Sequence, residues 1–182
     1  SSISVKTPNG RIAMMDLGAN VETEFSPLKF TQSIWNMSQL DYLIISHPHV
    51  DHIRDILNLG KVEPAVLRAK HVPREQLIPS DVKENDLQIL EAYLDLRSRY
   101  KGPVSPDRNP NSSSWGNHSY FTCYSIDADW ETEPNNSSIV TFYKTGQFTL
   151  LYPGDIESRG WNELLKNEDF VNDLKTTCFL IA

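Results

Sequence analysis

A chain of 182 residues, 39% of them hydrophobic, is long enough to bury a sizeable core and is read as one folded unit over 1–182. Its 17 Lys and Arg against 24 Asp and Glu give a formal charge of −7, so nothing in the composition resembles a basic nucleic-acid-binding face. A phosphodiester substrate stays open, because bound divalent cations would invert the local field.

Ile3-Ser4-Val5-Lys6 alternates as a strand does, Asn9-Gly10 is a hairpin signal, and residues 11–15 resume a strand. That strand ends in Asp16-Leu17-Gly18. There Asp16 either belongs to a simple turn or fixes, from behind, the orientation of a ligand histidine. Ser26-Pro27 supplies a helix with its cap and first residue, and Leu28, Phe30, Ile34, Trp35 and Leu40 form its apolar side. A strand over 41–46 follows and runs into Ser46-His47-Pro48-His49-Val50-Asp51-His52.

Three of the chain's five histidines fall within those positions. Alternate residues of an extended segment point the same way, so His47 and His49 can share one ion. Asp51 and His52 begin the next element and can face a second. Imidazole and carboxylate together suit zinc, manganese or iron better than calcium or magnesium alone. A solvated loop with Asp51 capping a helix is the competing reading, and the concentration of imidazoles argues against it.

Residues 51–59 read as a short helix closed by Gly60, residues 64–68 as a strand, and a longer helix runs from Ser80-Asp81 to about Tyr100. Leu87, Leu90, Leu94 and Leu96 carry its apolar stripe. Pro103, Pro106, Pro110 and a Ser/Asn run make about 101–117 a flexible loop. Strands are expected over 120–126, 138–143 and 147–152, the last ending in Pro153-Gly154-Asp155, a second acid at a strand end. A helix over 161–174 turns Leu164, Leu165, Phe170, Val171 and Leu174 inward, and 177–182 is an apolar strand. Cys123 and Cys178 read as buried free thiols, which favours a reducing compartment and a cytoplasmic location. No apolar run approaches the ~20 residues that span a bilayer.

His47-x-His49-x-Asp51-His52 after an apolar strand, with Asp16-x-Gly18 before it and Gly154-Asp155 after it, resembles the metallo-β-lactamase hydrolase superfamily. The pattern is most similar to the hydrolase domain of ComEC-like competence proteins, through Ser46-His47-Pro48, Asn135-Asn136-Ser137-Ser138-Ile139-Val140, and the run from Leu150 to Glu157. The resemblance implies an α/β fold, an αββα sandwich of two mixed sheets with outer helices. It also implies two divalent metal ions, zinc or manganese: His47 and His49 on the first, Asp51 and His52 on the second, Asp155 bridging both, and Asp16 supporting the site from outside. Two departures stand out. The further histidine usual on the first metal has no clean match; His118 is the better candidate and His71 the worse, with Asn135 or Asn136 near the site instead. The superfamily's closing histidine would follow Ala182, so the chain reads as truncated at its C-terminus.

The chemistry expected of such a site is hydrolysis. A metal-bridging water, its pKa lowered from about 15.7 toward ~7, attacks carbon or phosphorus, with Asp51 as the catalytic group that orients it. The ComEC-like pattern points to a phosphodiesterase or nuclease acting on nucleic acid or a nucleotide, with a partner protein or further domain to hold a long strand. A lactone, thioester or β-lactam hydrolase, or a truncated non-catalytic partner module, are the alternatives.

Overall fold

The computed structural model describes residues 1–60 and 62–181. Two four-stranded mixed sheets are stacked face to face. The first has the order β1 (Ile3–Lys6), β2 (Ile12–Met15), β3 (Leu40–Ile44), β4 (Pro64–Arg68); β1 and β2 are antiparallel and the rest parallel. The second runs β5 (Ser119–Tyr124), β6 (Val140–Thr145), β7 (Phe148–Tyr152), β8 (Phe179–Leu180), antiparallel except for the parallel β7–β8 pair. The expected hairpins are present. Gly10 and Gly146 adopt left-handed φ of 86° and 57°, and the registers Lys6↔Ile12 and Thr145↔Phe148 close around them.

The expected αββα order follows from three separate apolar layers, because alternate residues of a strand serve opposite faces. Ala13, Met15, Tyr42 and Ile44 of the first sheet meet Phe121, Tyr143 and Tyr152 of the second. Met14 and Leu43, on the opposite face, pack under α1 (Pro27–Trp35), α2 (Val50–Ile53) and α4 (Glu84–Arg99) through Leu28, Ile53, Leu90 and Tyr93. Val140, Phe142 and Leu151 turn outward to α5 (Ser158–Leu164) and α6 (Glu168–Lys175), which supply Leu164 and Phe170. A one-turn helix, α3 (Arg74–Leu77), precedes α4.

Several sequence expectations are corrected. Phe30 and Ile34 do not pack inward; they are 50% and 51% exposed, and α1 buries Pro27, Leu28 and Thr31. Residues 51–59 divide into α2 and a 3₁₀ turn over Arg54–Asn58. The helix expected over 161–174 is two helices, since the Asn167 side chain accepts from Phe170 N–H and caps a new start, and Leu165 at the break is exposed. The stretch 101–117 is irregular but tied down. Trp115 is 2% exposed between the sheets, edge-on to Tyr42 and Phe121, and its carbonyl accepts from Asn9 Nδ2. Both cysteines are free, but Cys178 is exposed and Cys123 half-buried. The last expected strand reduces to β8, and Ala182 lies outside the described residues. Among the described residues no helix is long and apolar enough to cross a membrane.

Candidate metal centre

The carboxyl ends of β2, β3 and β7 meet at one edge of the sandwich, where Ile139 N–H donates to Ser46 O at 2.8 Å and joins the two sheets. Asp16 stands at the centre of this edge, fully buried. Its left-handed φ of 58° is unusual for a residue with a Cβ and is held by four donors on one carboxylate. Ser46 N–H reaches Oδ1, and Ser46 Oγ, His52 Nδ1 and Tyr152 Oη reach Oδ2, each at 2.6 Å. The turn alternative for Asp16 is therefore the weaker one: its carboxylate orients His52.

Those bonds assign the inner ring protons of the two imidazoles. His52 Nδ1 gives its proton to Asp16, so Nε2 points out of the fold. Ser46 Oγ has given its own proton to Asp16, so it can only accept from His47 Nδ1, at 3.1 Å. His47 Nε2 is thereby left without a proton of its own and faces His49 Nδ1 at 2.9 Å. Asp155 Oδ2 lies between the two, 3.2 Å from His52 Nε2 and 3.9 Å from His47 Nε2. The three ligand atoms fall within 4.8 Å of one another. Asp51 Oδ2 is 3.5 Å from His52 Nε2, and His49 Nδ1 is 2.9 Å from His47 Nε2. His47, His52 and Asp155 form one group, with His49 beside His47 and Asp51 beside His52.

Lone pairs and carboxylate oxygens at these spacings repel unless a proton or a cation lies among them. The donor set fits a divalent ion. Burial depresses the His47 pKa to about 3, with the His52 and His49 charges adding to it, and burial also lowers that of His49. Both imidazoles are then neutral near pH 7, the form that binds a metal. Burial alone would lower His52 as well, but Asp16, through its hydrogen bond and charge, together with Asp155 and Asp51, outweighs it and raises the pKa.

The sign for the metal-free protein follows from His47. Between its ordinary 6.5 and about 3 the unfolded chain takes up a proton that the folded chain refuses, so this group removes stability as pH falls through that window. Its share is at most about 1.4 kcal/mol per pH unit. His52 acts oppositely: its raised pKa adds stability that is fully present below its unfolded value and lost as pH rises through the folded one. Chemical denaturation with chelator at pH 7 and pH 5 should therefore show a smaller loss on acidification in His47→Gln than in the wild type.

Other residues hold the donors in place. Ser138 Oγ accepts from Asp155 N–H at 3.2 Å and is 3.3 Å from His47 Nδ1. Asn136 Oδ1 accepts from Glu157 and Gly160 N–H, both at 3.1 Å, and pins the start of α5 behind Asp155. Gly154 has φ 61°, and a Cβ there would lie 2.8 Å from Ser46 Cβ. Gly154→Ala should therefore cost about 1–3 kcal/mol in thermal unfolding and displace Asp155 from its imidazoles. The roles of Ser46, Ser138 and Tyr152 were not read from the sequence, although all three fall within motifs that carried the resemblance.

Neither extra histidine joins the cluster. The β5–β6 register places Ser119 opposite Thr145 and Tyr124 opposite Val140, so His118 sits at the far end of the sheet, a strand length of about 17–20 Å away. His118→Ala should leave metal content unchanged by elemental analysis. His71 follows β4 at the correct end but lies exposed in a neighbouring cleft.

Beside the cluster, a cleft of about 350 Å³ is lined by Pro48, His49, Leu77, Val82, Leu90 and Trp130 among others. The Trp130 ring is 5.2 Å from that of His49, and its Nε1 donates to Gln76 O.

No family model and no curated protein matches the chain. Solved structures do. YhfI of Bacillus subtilis, a metallo-β-lactamase fold protein, is 17% identical over 79% of this chain and 49% of its own, with a TM-score of 0.40. A metallo-β-lactamase superfamily protein of the archaeon Sulfolobus tokodaii is 16% identical over 84% and 62%, with a TM-score of 0.39. A diphosphatase of the PhnP family is 13% identical over 90% of this chain and 55% of its own, with a TM-score of 0.40. The chain thus spans about half to three-fifths of the length of these structures.

Proposed function

We propose that this chain is a metal-dependent hydrolase acting on a phosphodiester, in the manner of the ComEC-like branch that its motifs resemble. The observation that carries the reading is Asp155 Oδ2 placed between the outward nitrogens of two buried imidazoles, 3.2 Å from His52 Nε2 and 3.9 Å from His47 Nε2, a grouping whose donor types and spacing suit a divalent ion. His47, His49, Asp51, His52 and Asp155 would hold two divalent ions, zinc or manganese. Bound there, the ions would supply hydroxide near neutral pH and neutralise charge developing on the phosphoryl oxygens.

The chain's own residues do the rest. Asp16 and Ser46 keep the ring protons of His52 and His47 on the inner nitrogens, so the outer ones stay available. Asp51, exposed on the open flank, accepts a hydrogen bond from the attacking water and aligns it. Asn136 and Ser138 hold Asp155 against recoil. The free thiols of Cys123 and Cys178 support a reducing compartment, the cytoplasm.

The apolar cleft over His49 favours a second reading, a lactone, thioester or β-lactam hydrolase, because an acyl group would find apolar cover there. Hydrolysis of bis(p-nitrophenyl) phosphate and p-nitrophenyl acetate, each with zinc or manganese, separates the two. Phosphodiester cleavage is expected; ester cleavage alone would overturn the first reading. Fewer than one ion per chain by elemental analysis, with neither substrate cleaved, would leave the non-catalytic partner module.

A further inference from the structure

The net charge of −7 conceals a concentration of positive charge. A cleft of about 420 Å³ along the outer edge of β4 is lined by Arg68, Lys70, His71, Arg97 and Lys101, with no carboxylate in its wall. Among the described residues, none of these four Lys and Arg side chains is within ion-pair distance of an acid, whereas Arg11, Arg54, Arg74, Arg99, Arg159, Lys144 and Lys166 all are. The cleft continues past Tyr100 and Lys101 into a second one that adds Arg99 and Arg108.

Two of its wall residues adjoin the segments that carry the metal cluster. Ile45 N–H bonds Arg68 O at 2.8 Å, so Arg68 is one strand spacing, about 5 Å, from the strand that delivers His47. Ile139 forms part of the cleft wall and directly follows Ser138, which touches His47. Two of the cations are held in position by backbone carbonyls. Arg97 donates to Ala69 O and Tyr100 O, and Lys70 to Ile126 O. Burial lowers the Lys70 pKa and the Arg68 charge lowers it further, against an opposing pull from Asp127.

We infer that this cleft binds a second phosphate group of the substrate, adjoining the one hydrolysed at the metal cluster. The inference rests on the phosphodiester reading above. Four cations with no carboxylate in the cleft wall make a local positive field that an anion would share, and guanidinium groups match phosphate oxygens in two-point contacts. The cleft lies alongside the cluster rather than within it, so the phosphate it holds is not the reacting one. It also supplies locally the grip on a polyanion that the overall composition argues against.

The test has a binding arm and a kinetic arm. Inorganic pyrophosphate is titrated into metal-free protein and followed by amide shifts at residues 67–71 and 97–102. Arg68→Gln combined with Lys101→Gln should weaken binding about tenfold or more. Lys29→Gln, a surface lysine on α1, should not weaken it. A wild-type titration without shifts at these residues, or equal weakening by Lys29→Gln, overturns the proposal.

In the kinetic arm a thymidine dinucleotide is compared with its 5′-phosphorylated form and with the trinucleotide. The double variant should raise KM for one of the longer two by about tenfold more than for the bare dinucleotide. Preference for the phosphorylated dinucleotide identifies a terminal phosphate, and preference for the trinucleotide a neighbouring diester. Equal effects on all three overturn the proposal. If metal-loaded wild type cleaves none of them, the phosphodiester reading falls, and the pyrophosphate titration still decides the cleft by itself.

Discussion

Asp51→Ala is expected to reduce phosphodiester turnover by about 10²–10⁴-fold, the range of a lost acid–base group. The fold should survive. The Asp51 side chain is 69% exposed and fills no core volume, so its structural contribution is confined to a carboxylate in the first turn of α2. That placement is worth about 0.3–1 kcal/mol, which lowers the melting temperature of a chain this size by no more than about 4 °C. Turnover measured beside calorimetry gives the comparison. Wild-type activity in Asp51→Ala would remove this residue from the chemistry and, with it, the assignment of the open flank.

Asp16→Ala has the opposite profile, a stability loss first and an activity loss because of it. Four donors converge on this carboxylate, and no water reaches it. Removing it leaves the Ser46 amide and hydroxyl, the Tyr152 hydroxyl and His52 Nδ1 buried without their acceptor. The expected cost is about 3–5 kcal/mol, or roughly 6–20 °C in melting temperature. Metal affinity should also fall about 10–100-fold, since the His52 ring is no longer held in orientation by its inner nitrogen. Asp16→Asn separates shape from charge: it preserves the volume but turns an amide N–H toward one of the donors, so an intermediate loss is expected. A melting temperature for Asp16→Ala equal to wild type would mean that this network does not hold the site.

Both residues were visible in the sequence, for different reasons. The run from His47 to His52 is local: six positions at a strand-to-helix junction, where spacing alone brings the donors to one place. Asp16 and Asp155 were each, by their own neighbours, an acid closing a strand, and only the family resemblance tied them to the histidines. Their meeting depends on β2, β3 and β7 ending at the same edge, which no spacing within the chain reveals. The His118 expectation failed for the same reason. A strand has two ends, and only the β5–β6 register determines that Ser119 lies with Thr145 at the end away from the cluster.

Helix faces failed where packing overrode pattern. Phe30 and Ile34 have the spacing of an inward stripe, yet α1 is rotated so that Leu28 and Thr31 are covered. Its start is anchored by Asp55 Oδ2, which accepts from Ser26 Oγ and Leu28 N–H at 2.8 Å, and this long-range contact sets the rotation. Trp115 lay unnoticed in a Pro/Ser-rich stretch, because composition describes the backbone's freedom and not one aromatic ring inserted between two sheets.

The sequence by itself determined the donor types, their clustering after an apolar strand, the hairpins at Gly10 and Gly146 and the alternation of strands and helices. These depend on neighbours a few positions apart, where backbone geometry leaves little choice. The tertiary structure alone decided which imidazole nitrogens Asp16 and Ser46 hold, that Asp155 lies between His47 and His52, and that Arg68, Lys70, Arg97 and Lys101 share a cleft beside them. Each of those facts depends on distances between residues far apart in the chain, fixed only once the two sheets have stacked.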